Sequence, residues 1–306
     1  MALYLVTGGA GFIGSHLCEA LRAKWHRVRV LDDLSSGHRE NLPDDVELMV
    51  GDIADPHIVN RAIEGIAGCF HLAAIVSVSR SLTEWAHTHR TNLTGTVTLL
   101  EALARHPKVP MVYASSAAVY GDADPPITED APKRPRSAYG ADKYGCELHA
   151  TVASHSFGNP TVGLRFFNVY GPRQDPTSTY SGVISIFLRQ LSRGEPIDIF
   201  GDGNQTRDFI YVGDVVNALM AAIDKDGASV FNVCTGTATS IRSLADHIAT
   251  LCQRGADIRF HPARPGDVLH SCGSPKRLRE AFDLPKPVSL ATGLERTWEW
   301  YARTLT

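Results

Sequence analysis

The nine residues Thr7-Gly8-Gly9-Ala10-Gly11-Phe12-Ile13-Gly14-Ser15 constrain this chain more than any other stretch. They follow a strand-like run, ALYLVT over Ala2–Thr7, and lead into a helical pattern over Phe12–Lys24. Read from Gly9 the segment is G-x-G-x-x-G; read from Gly8 it is G-x-x-G-x-x-G. Glycine at these places permits a tight turn, lets the backbone approach a pyrophosphate, and lets the helix pack close to its strand. The diphosphate then lies at the helix N-terminus, against unpaired N–H groups and the positive end of the dipole. Gly8, Gly11, Phe12, Ile13 and Gly14 are the residues this puts around it. Glycine turns join many strands to helices, so the setting carries the reading. A second strand, Arg27–Asp32 (RVRVLD), ends in Asp32, 18 residues after Gly14. A carboxylate there bonds the adenosine ribose hydroxyls and repels a 2′-phosphate, which favours NAD over NADP. Asp33 is adjacent; Asp32 is preferred because it lies nearer the strand end.

The alternation of strand and helix continues. Glu47–Val50, Cys69–Leu72, Pro110–Ser115 and Thr161–Phe167 are strand-like. Helical patterns lie near Pro56–Glu64, over about Thr83–Arg105 and over about Ala138–Ser156. Strands separated by helix-length segments predict βαβ units, a parallel sheet and right-handed crossovers. The predicted fold class is α/β, a doubly wound Rossmann sheet with its functional crevice at the carboxyl ends of the strands. Beyond residue 170 prolines and glycines break the rhythm, which predicts a smaller, loop-rich C-terminal domain. The 306 residues thus divide into a dinucleotide-binding domain, 1–170, and a substrate domain, 171–306. A segment near 209–236 is a candidate to return to the first.

Tyr139-Gly140-Ala141-Asp142-Lys143 is Y-x-x-x-K on the predicted Ala138–Ser156 helix. Positions i and i+4 share one helix face, so an ammonium can lie beneath the phenol. A free tyrosine titrates near ~10, and bringing it to neutrality is worth roughly 4 kcal/mol. A cation at Lys143, with an oxidised nicotinamide, is expected to supply that depression. Y-x-x-x-K alone is better read as a surface pair; Ser115-Ser116, at the end of the fifth parallel strand, gives it a context. A hydroxyl on that rim can share a hydrogen bond with the substrate oxygen that Tyr139 deprotonates. The bland reading of two serines there is a turn cap.

This ordered set resembles a family. TGGAGFIG (7–14), Asp32, Gly51-Asp52-Ile53, His71-Leu72-Ala73-Ala74, SSAAVYG (115–121) and YGADK (139–143) are similar to the extended short-chain dehydrogenase/reductases. FNVYGPR (167–173) and RDFIYVGD (207–214) continue the likeness over nearly the whole chain. Within that family the nucleotide-sugar 4-epimerases of the UDP-galactose 4-epimerase type are most similar. The resemblance implies Ser116 as catalytic serine, Tyr139 as base, and Lys143 as the lysine that also holds the nicotinamide ribose. It implies adenine contacts from Asp52 and Ile53, and further cofactor contacts from Leu72, Ala73 and Ala74. On the substrate side it implies Asn168, Arg207 and Arg264 on the diphosphate, Asp267 on a ribose and Phe200 beside uracil. Planar, permanently charged guanidinium forks suit a diphosphate, in agreement with the two arginines. Ser271 corresponds to a gatekeeper over the hexose, where a small residue leaves room for a 2-acetamido group.

The expected reaction is 4-epimerisation of UDP-glucose and UDP-galactose, and of their N-acetylated counterparts, through a transient 4-keto sugar with tightly bound NAD. Related dehydratases carry an acidic pair just after the catalytic hydroxyl; Ala117 and Ala118 stand there and can do no acid/base work. A reductase, decarboxylase or dehydratase on the same scaffold is the alternative. The resemblance also implies a homodimer, paired through the helices at Thr83–Arg105 and Ala138–Ser156. A formal net charge of −3 offers no basic excess for nucleic acid or an anionic membrane. No apolar run approaches the ~20 residues that cross a bilayer, and the six cysteines form no C-x-x-C pair. Of the 13 histidines only His87 and His89 lie in close register, and i, i+2 positions diverge on a helix, so no metal site is expected. The expectation is a cytoplasmic enzyme.

Overall fold

The computed structural model describes residues 1–175, 182–253, 255, 257–263 and 268–304. Its first half alternates as β1 (Leu3–Thr7), α1 (Phe12–Ala23), β2 (Arg27–Asp32), β3 (Glu47–Val50), α2 (Pro56–Ala62), β4 (Gly68–His71), β5 (Met111–Ser116) and β6 (Thr161–Phe166), with longer helices between β4 and β6. These strands and Ala228–Val233 form one parallel sheet in the order Ala228–Val233, β6, β5, β4, β1, β2, β3. The chain leaves β1 toward β2 on one side and returns through β4 on the other. That switch opens the crevice of a doubly wound Rossmann sheet at the strands' carboxyl ends.

Two-residue alternation along each strand feeds two apolar layers. Val6, Val30, Val112 and Leu164 face α1 and the Val212–Ala222 helix, packing on Leu17, Cys18, Leu21, Val215 and Leu219. Leu5, Leu31, Cys69, Met111 and Tyr113 face the opposite way, onto Val59, Leu99, Leu103, Cys146 and Ala150. A third core holds helices Val183–Ser192, Ile241–Leu251 and Leu290–Thr304 against strands Ile197–Phe200 and Thr206–Tyr211. Among the described residues no helix is long and apolar enough to cross a membrane.

One element differs from its sequence reading. The helix expected over Thr83–Arg105 is interrupted at Glu84 (φ −119°, ψ 49°), after a separate short helix, Val78–Thr83. It then runs from Trp85 to Leu103 through a π turn at Arg90–Thr94. At that turn buried Asn92 closes on Ile75: its Oδ1 accepts from the Ile75 N–H (2.8 Å) and its Nδ2 donates to the Ile75 carbonyl (3.0 Å). A widened turn at a functional rim is a common use of π geometry, and hydropathy spacing does not reveal it.

His71, at the end of β4, ties the layers together. Its Nδ1 lies 2.7 Å from Thr7 Oγ1 and its Nε2 2.9 Å from Thr96 Oγ1. Thr96 donates its own proton to the Asn92 carbonyl (2.6 Å), so Thr96 accepts from Nε2–H and Nδ1 accepts from Thr7. The ring is neutral in that arrangement. Burial, and secondarily the Lys143 ammonium, pull its pKa down to about 3. The unfolded chain therefore binds a proton that the folded chain refuses. This contribution to stability is intact above about pH 6.5 and is lost as pH falls from there toward 3. Between pH 7 and pH 5 it should remove about 2 kcal/mol of unfolding free energy. Denaturant titrations at the two pH values are expected to show that loss in the wild type, and to lack that component in His71→Gln.

Candidate active site

At the carboxyl end of β1 the chain turns where side chains have no room. Gly8 adopts φ +68°, and a Cβ on it would lie 2.7 Å from the Ala73 amide nitrogen. A Cβ on Gly14 would meet the Gly8 carbonyl oxygen at 2.2 Å. The main chain can therefore fold tightly under Leu72–Ala74, which leaves β4 with Leu72 N donating to the Thr7 carbonyl (3.0 Å) and Ala73 N to Thr7 Oγ1 (3.2 Å). Helix α1 starts at Gly11 with no side-chain cap and no acidic residue in its first turn. Its opening amides, at Phe12, Ile13 and Gly14, face a place suited to an anion. Asp32 lies beneath: Oδ2 accepts from the Ala10 amide and Oδ1 from the Leu34 amide, both at 2.9 Å. Burial raises its pKa against those two bonds, and each oxygen retains a lone pair for a ribose hydroxyl. Asp33 turns outward, bonded to the Ser35 amide and hydroxyl. These features fit a dinucleotide: a side-chain-free cradle, an uncapped helix start and a buried carboxylate at the second strand's end. Farther along the rim, Asp52 accepts from the Ala54 amide (2.8 Å) and pairs with Arg90, while Ile53 is buried beside Gly95.

Ser116 closes β5 and accepts from the Ala118 amide (3.1 Å), capping the single turn Ala117–Val119. Its hydroxyl is near enough to favour the Tyr139 phenolate. Tyr139 and Lys143 lie one turn apart on the Ala138–Phe157 helix, which Ser137 caps by accepting from the Gly140 amide. The structure corrects the share of the phenol's depression assigned to Lys143. Lys143 Nζ donates to the Ala114 carbonyl (2.9 Å) and sits 5.9 Å from the centre of the Tyr139 ring. Its charge does not offset the burial of the phenol. Burial dominates and pushes the Tyr139 pKa up to about 12, opposed by the neighbouring Ser116 side chain. Burial also lowers Lys143. Desolvation of a phenolate outweighs a cation that is directed at a carbonyl.

The second serine of the pair is committed elsewhere. Ser115 is buried and donates to Glu147 Oε1 (2.5 Å). Glu147 accepts two further bonds from Arg165, at 2.8 and 2.7 Å, and both side chains of this pair are about 5% exposed or less. Arg165 also donates to Tyr120 Oη (2.7 Å), which donates to Asn232 Oδ1 (2.6 Å). A fully bonded ion pair thus ties the tyrosine-bearing helix to β5 and β6. Sequence reasoning passed over Glu147 and Arg165. The available signal was a glutamate one turn beyond Lys143 on the same face, and an arginine inside an otherwise apolar strand.

The substrate-side residues gather on strand Thr206–Tyr211. Arg207 stands in register with Ser271 on one side and Thr239 on the other, and Asn168 with Phe209. Asn168 Nδ2 donates to the Asp208 carbonyl (3.3 Å), and Arg207 Nη1 to the Thr206 carbonyl (2.9 Å). Phe200, at the end of a neighbouring strand, stacks on His261 with centroids 5.1 Å apart. Arg264 and Asp267 lie outside the described residues. Among the described residues no group of three or more His, Cys, Asp or Glu side chains could hold a metal ion.

Residues 4–234 match the family described as the NAD dependent epimerase/dehydratase family. The chain is 39% identical to a UDP-glucose 4-epimerase of Mycolicibacterium smegmatis, over 97% of each chain. It is also similar to the crystal structure of a UDP-glucose 4-epimerase from Thermotoga maritima with UDP-glucose, at 36% identity and a TM-score of 0.96, covering 99% of this chain and 100% of the other. A UDP-N-acetylglucosamine 4-epimerase from Methanobrevibacter ruminantium, in complex with UDP-N-acetylmuramic acid, aligns at 34% identity with a TM-score of 0.94 over 99% of both.

Proposed function

The chain belongs to the NAD dependent epimerase/dehydratase family, and from that premise we propose that it is a nucleotide-sugar 4-epimerase acting on UDP-hexoses with NAD as its resident cofactor. The observation that carries the reading is the convergence of Ser116, Tyr139 and Lys143 on the strand rim, with alanines at 117 and 118. Gly8, Gly11, the opening amides of α1, and Asp32 would hold the dinucleotide, with Asp52, Ile53 and Leu72–Ala74 bordering its adenosine and nicotinamide ends. Residues 1–170 with strand Ala228–Val233 serve the cofactor, and the remainder serves the sugar nucleotide.

A bound NAD supplies reversible acceptance of a hydride from carbon 4 and, when oxidised, a positive ring charge. The chain's own part is proton traffic and restraint. Tyr139 takes the proton of the sugar's 4-hydroxyl while Ser116 hydrogen-bonds the oxygen that loses it. Lys143 holds the nicotinamide ribose and adds positive charge at the site. Arg207 and Asn168 hold the diphosphate, so the hexose can present its other face without leaving. Ala117 and Ala118 provide no acid to expel a hydroxyl, which disfavours elimination. Purified protein with no NAD added should interconvert UDP-glucose and UDP-galactose at constant product mass. In the same chromatographic assay Tyr139→Phe should lose roughly 10²–10⁴-fold in turnover.

Ser271 sets how large a hexose fits. It is half-buried and in register with Arg207, and a small side chain there admits a 2-acetamido group. Ser271→Tyr is expected to cut turnover of the N-acetylated pair selectively. Comparison of kcat/KM for the two substrate pairs reads this out, and an unchanged N-acetyl rate refutes it.

A homodimer and a cytoplasmic setting complete the proposal. Leu148, Val152 and Phe157 lie exposed on the Ala138–Phe157 helix, as do Val78, Leu82 and Trp85 on the neighbouring short helices. Apolar exposure of this kind marks a contact surface. The six cysteines are free thiols, which suits a reducing compartment. Light scattering should give a two-chain mass for the wild type and a one-chain mass for Leu148→Glu/Val152→Glu.

A further inference from the structure

The mechanism above makes no use of Asp208, yet this carboxylate is the most heavily bonded acid among the described residues. It is fully buried, at 0% exposure. Its Oδ1 accepts from the Thr235 amide (2.8 Å) and the Thr235 hydroxyl (2.6 Å). Its Oδ2 accepts from the Gly236 amide (2.9 Å), the Gly273 amide (3.3 Å) and the Cys272 thiol (3.6 Å). Burying a carboxylate is unfavourable unless its lone pairs are answered by donors. Here they are answered by two separate segments of chain.

What those segments carry is the point. Cys272 and Gly273 directly follow Ser271, whose strand pairs in register with Arg207. Thr235 and Gly236 precede the strand Ala238–Ser240, which pairs with Arg207 from the other side. The Asp208 carbonyl itself receives Asn168 Nδ2. Side chains alternate along a strand, so Arg207 and Asp208 point to opposite faces. The carboxylate staples the flanking segments on the face away from the arginine.

We propose that Asp208 is a positioning residue for nucleotide-sugar capture: it fixes Arg207, Asn168 and Ser271 in one rigid frame, and so governs affinity for the diphosphate and not the hydride step. This rests on the reading of Arg207 and Asn168 as diphosphate contacts. Asparagine at 208 would direct an NH₂ group at N–H donors and release one of the two segments. Valine at 235 would delete the hydroxyl donor alone.

The test measures KM and kcat for UDP-glucose, Kd for UDP alone by calorimetry, and retained NAD, in the wild type, Asp208→Asn, Thr235→Val and Thr235→Ser. Asp208→Asn should raise KM and the UDP Kd together by ten-fold or more, with kcat within about three-fold and NAD content unchanged. Thr235→Val should move the same two constants by a few-fold, and Thr235→Ser, which keeps the hydroxyl, should restore them. Unmoved KM and UDP Kd in folded Asp208→Asn overturn the proposal. So does a fall in kcat or NAD content that matches the rise in KM, or a Thr235→Ser variant as impaired as Thr235→Val. If Asp208→Asn does not fold, the Thr235 pair decides by the same criteria. A wild type that binds no UDP overturns the functional reading itself and the positioning role with it, a failure visible before any variant is made.

Discussion

The site depends on a contact between two backbones. The amide of Ala73, leaving β4, lies where a side chain on Gly8 would have to be, and the Gly8 carbonyl lies where one on Gly14 would have to be. Because both positions are bare, β1, its turn and the exit of β4 close into one surface, which Thr7 and His71 lock from beneath. The same closure aims the start of α1 at the crevice. A methyl group at either glycine would separate the strands at the switch point where the sheet's two halves meet. Main-chain proximity therefore underlies the sheet's topology as well as its capacity to hold two phosphates.

From that surface the reactive groups are fixed by different means. The serine belongs to β5, and its geometry follows from strand pairing with β6. The tyrosine and lysine belong to a helix, which must be kept from sliding along the sheet. Glu147, bonded at once to Ser115 of β5 and Arg165 of β6, supplies that restraint from inside the protein. Leaving either charge without its partner would be strongly unfavourable in so dry a place, so the helix has one register. Ser115 and Ser116 thus divide the work, one bonded to the scaffold and one proposed to meet the reacting oxygen.

This division shows what one sequence reveals and what it conceals. The order of strands and helices in the first half was legible because each apolar run has a period and each turn a glycine or proline; β2 and β3 match their sequence bounds, and β1, β4, β5 and β6 differ by a residue at one or both ends. The cradle was legible because backbone approach leaves glycines in the sequence. The π turn and the Glu147–Arg165 pair were not, because each answers a partner distant along the chain: Asn92 meets Ile75, and Glu147 meets Ser115 and Arg165. The share of Lys143 in the Tyr139 pKa was hidden for a related reason. Helical spacing puts Lys143 on the correct face but says nothing of the Ala114 carbonyl, which takes its ammonium, or of the burial that outweighs it.

The raised phenol has a mechanistic meaning. A tyrosine with a pKa of about 12 holds its proton at neutral pH, so the protein alone is a poor base. Positive charge brought to the site favours the phenolate. Epimerisation also asks for opposed mechanical properties in one ligand: a diphosphate that does not move and a hexose that does. In the proposed arrangement the frame around Asp208 supplies the first, and the small residues Ala117 and Ala118 leave room for the second. On that proposal the sugar can turn because the grip lies on the diphosphate.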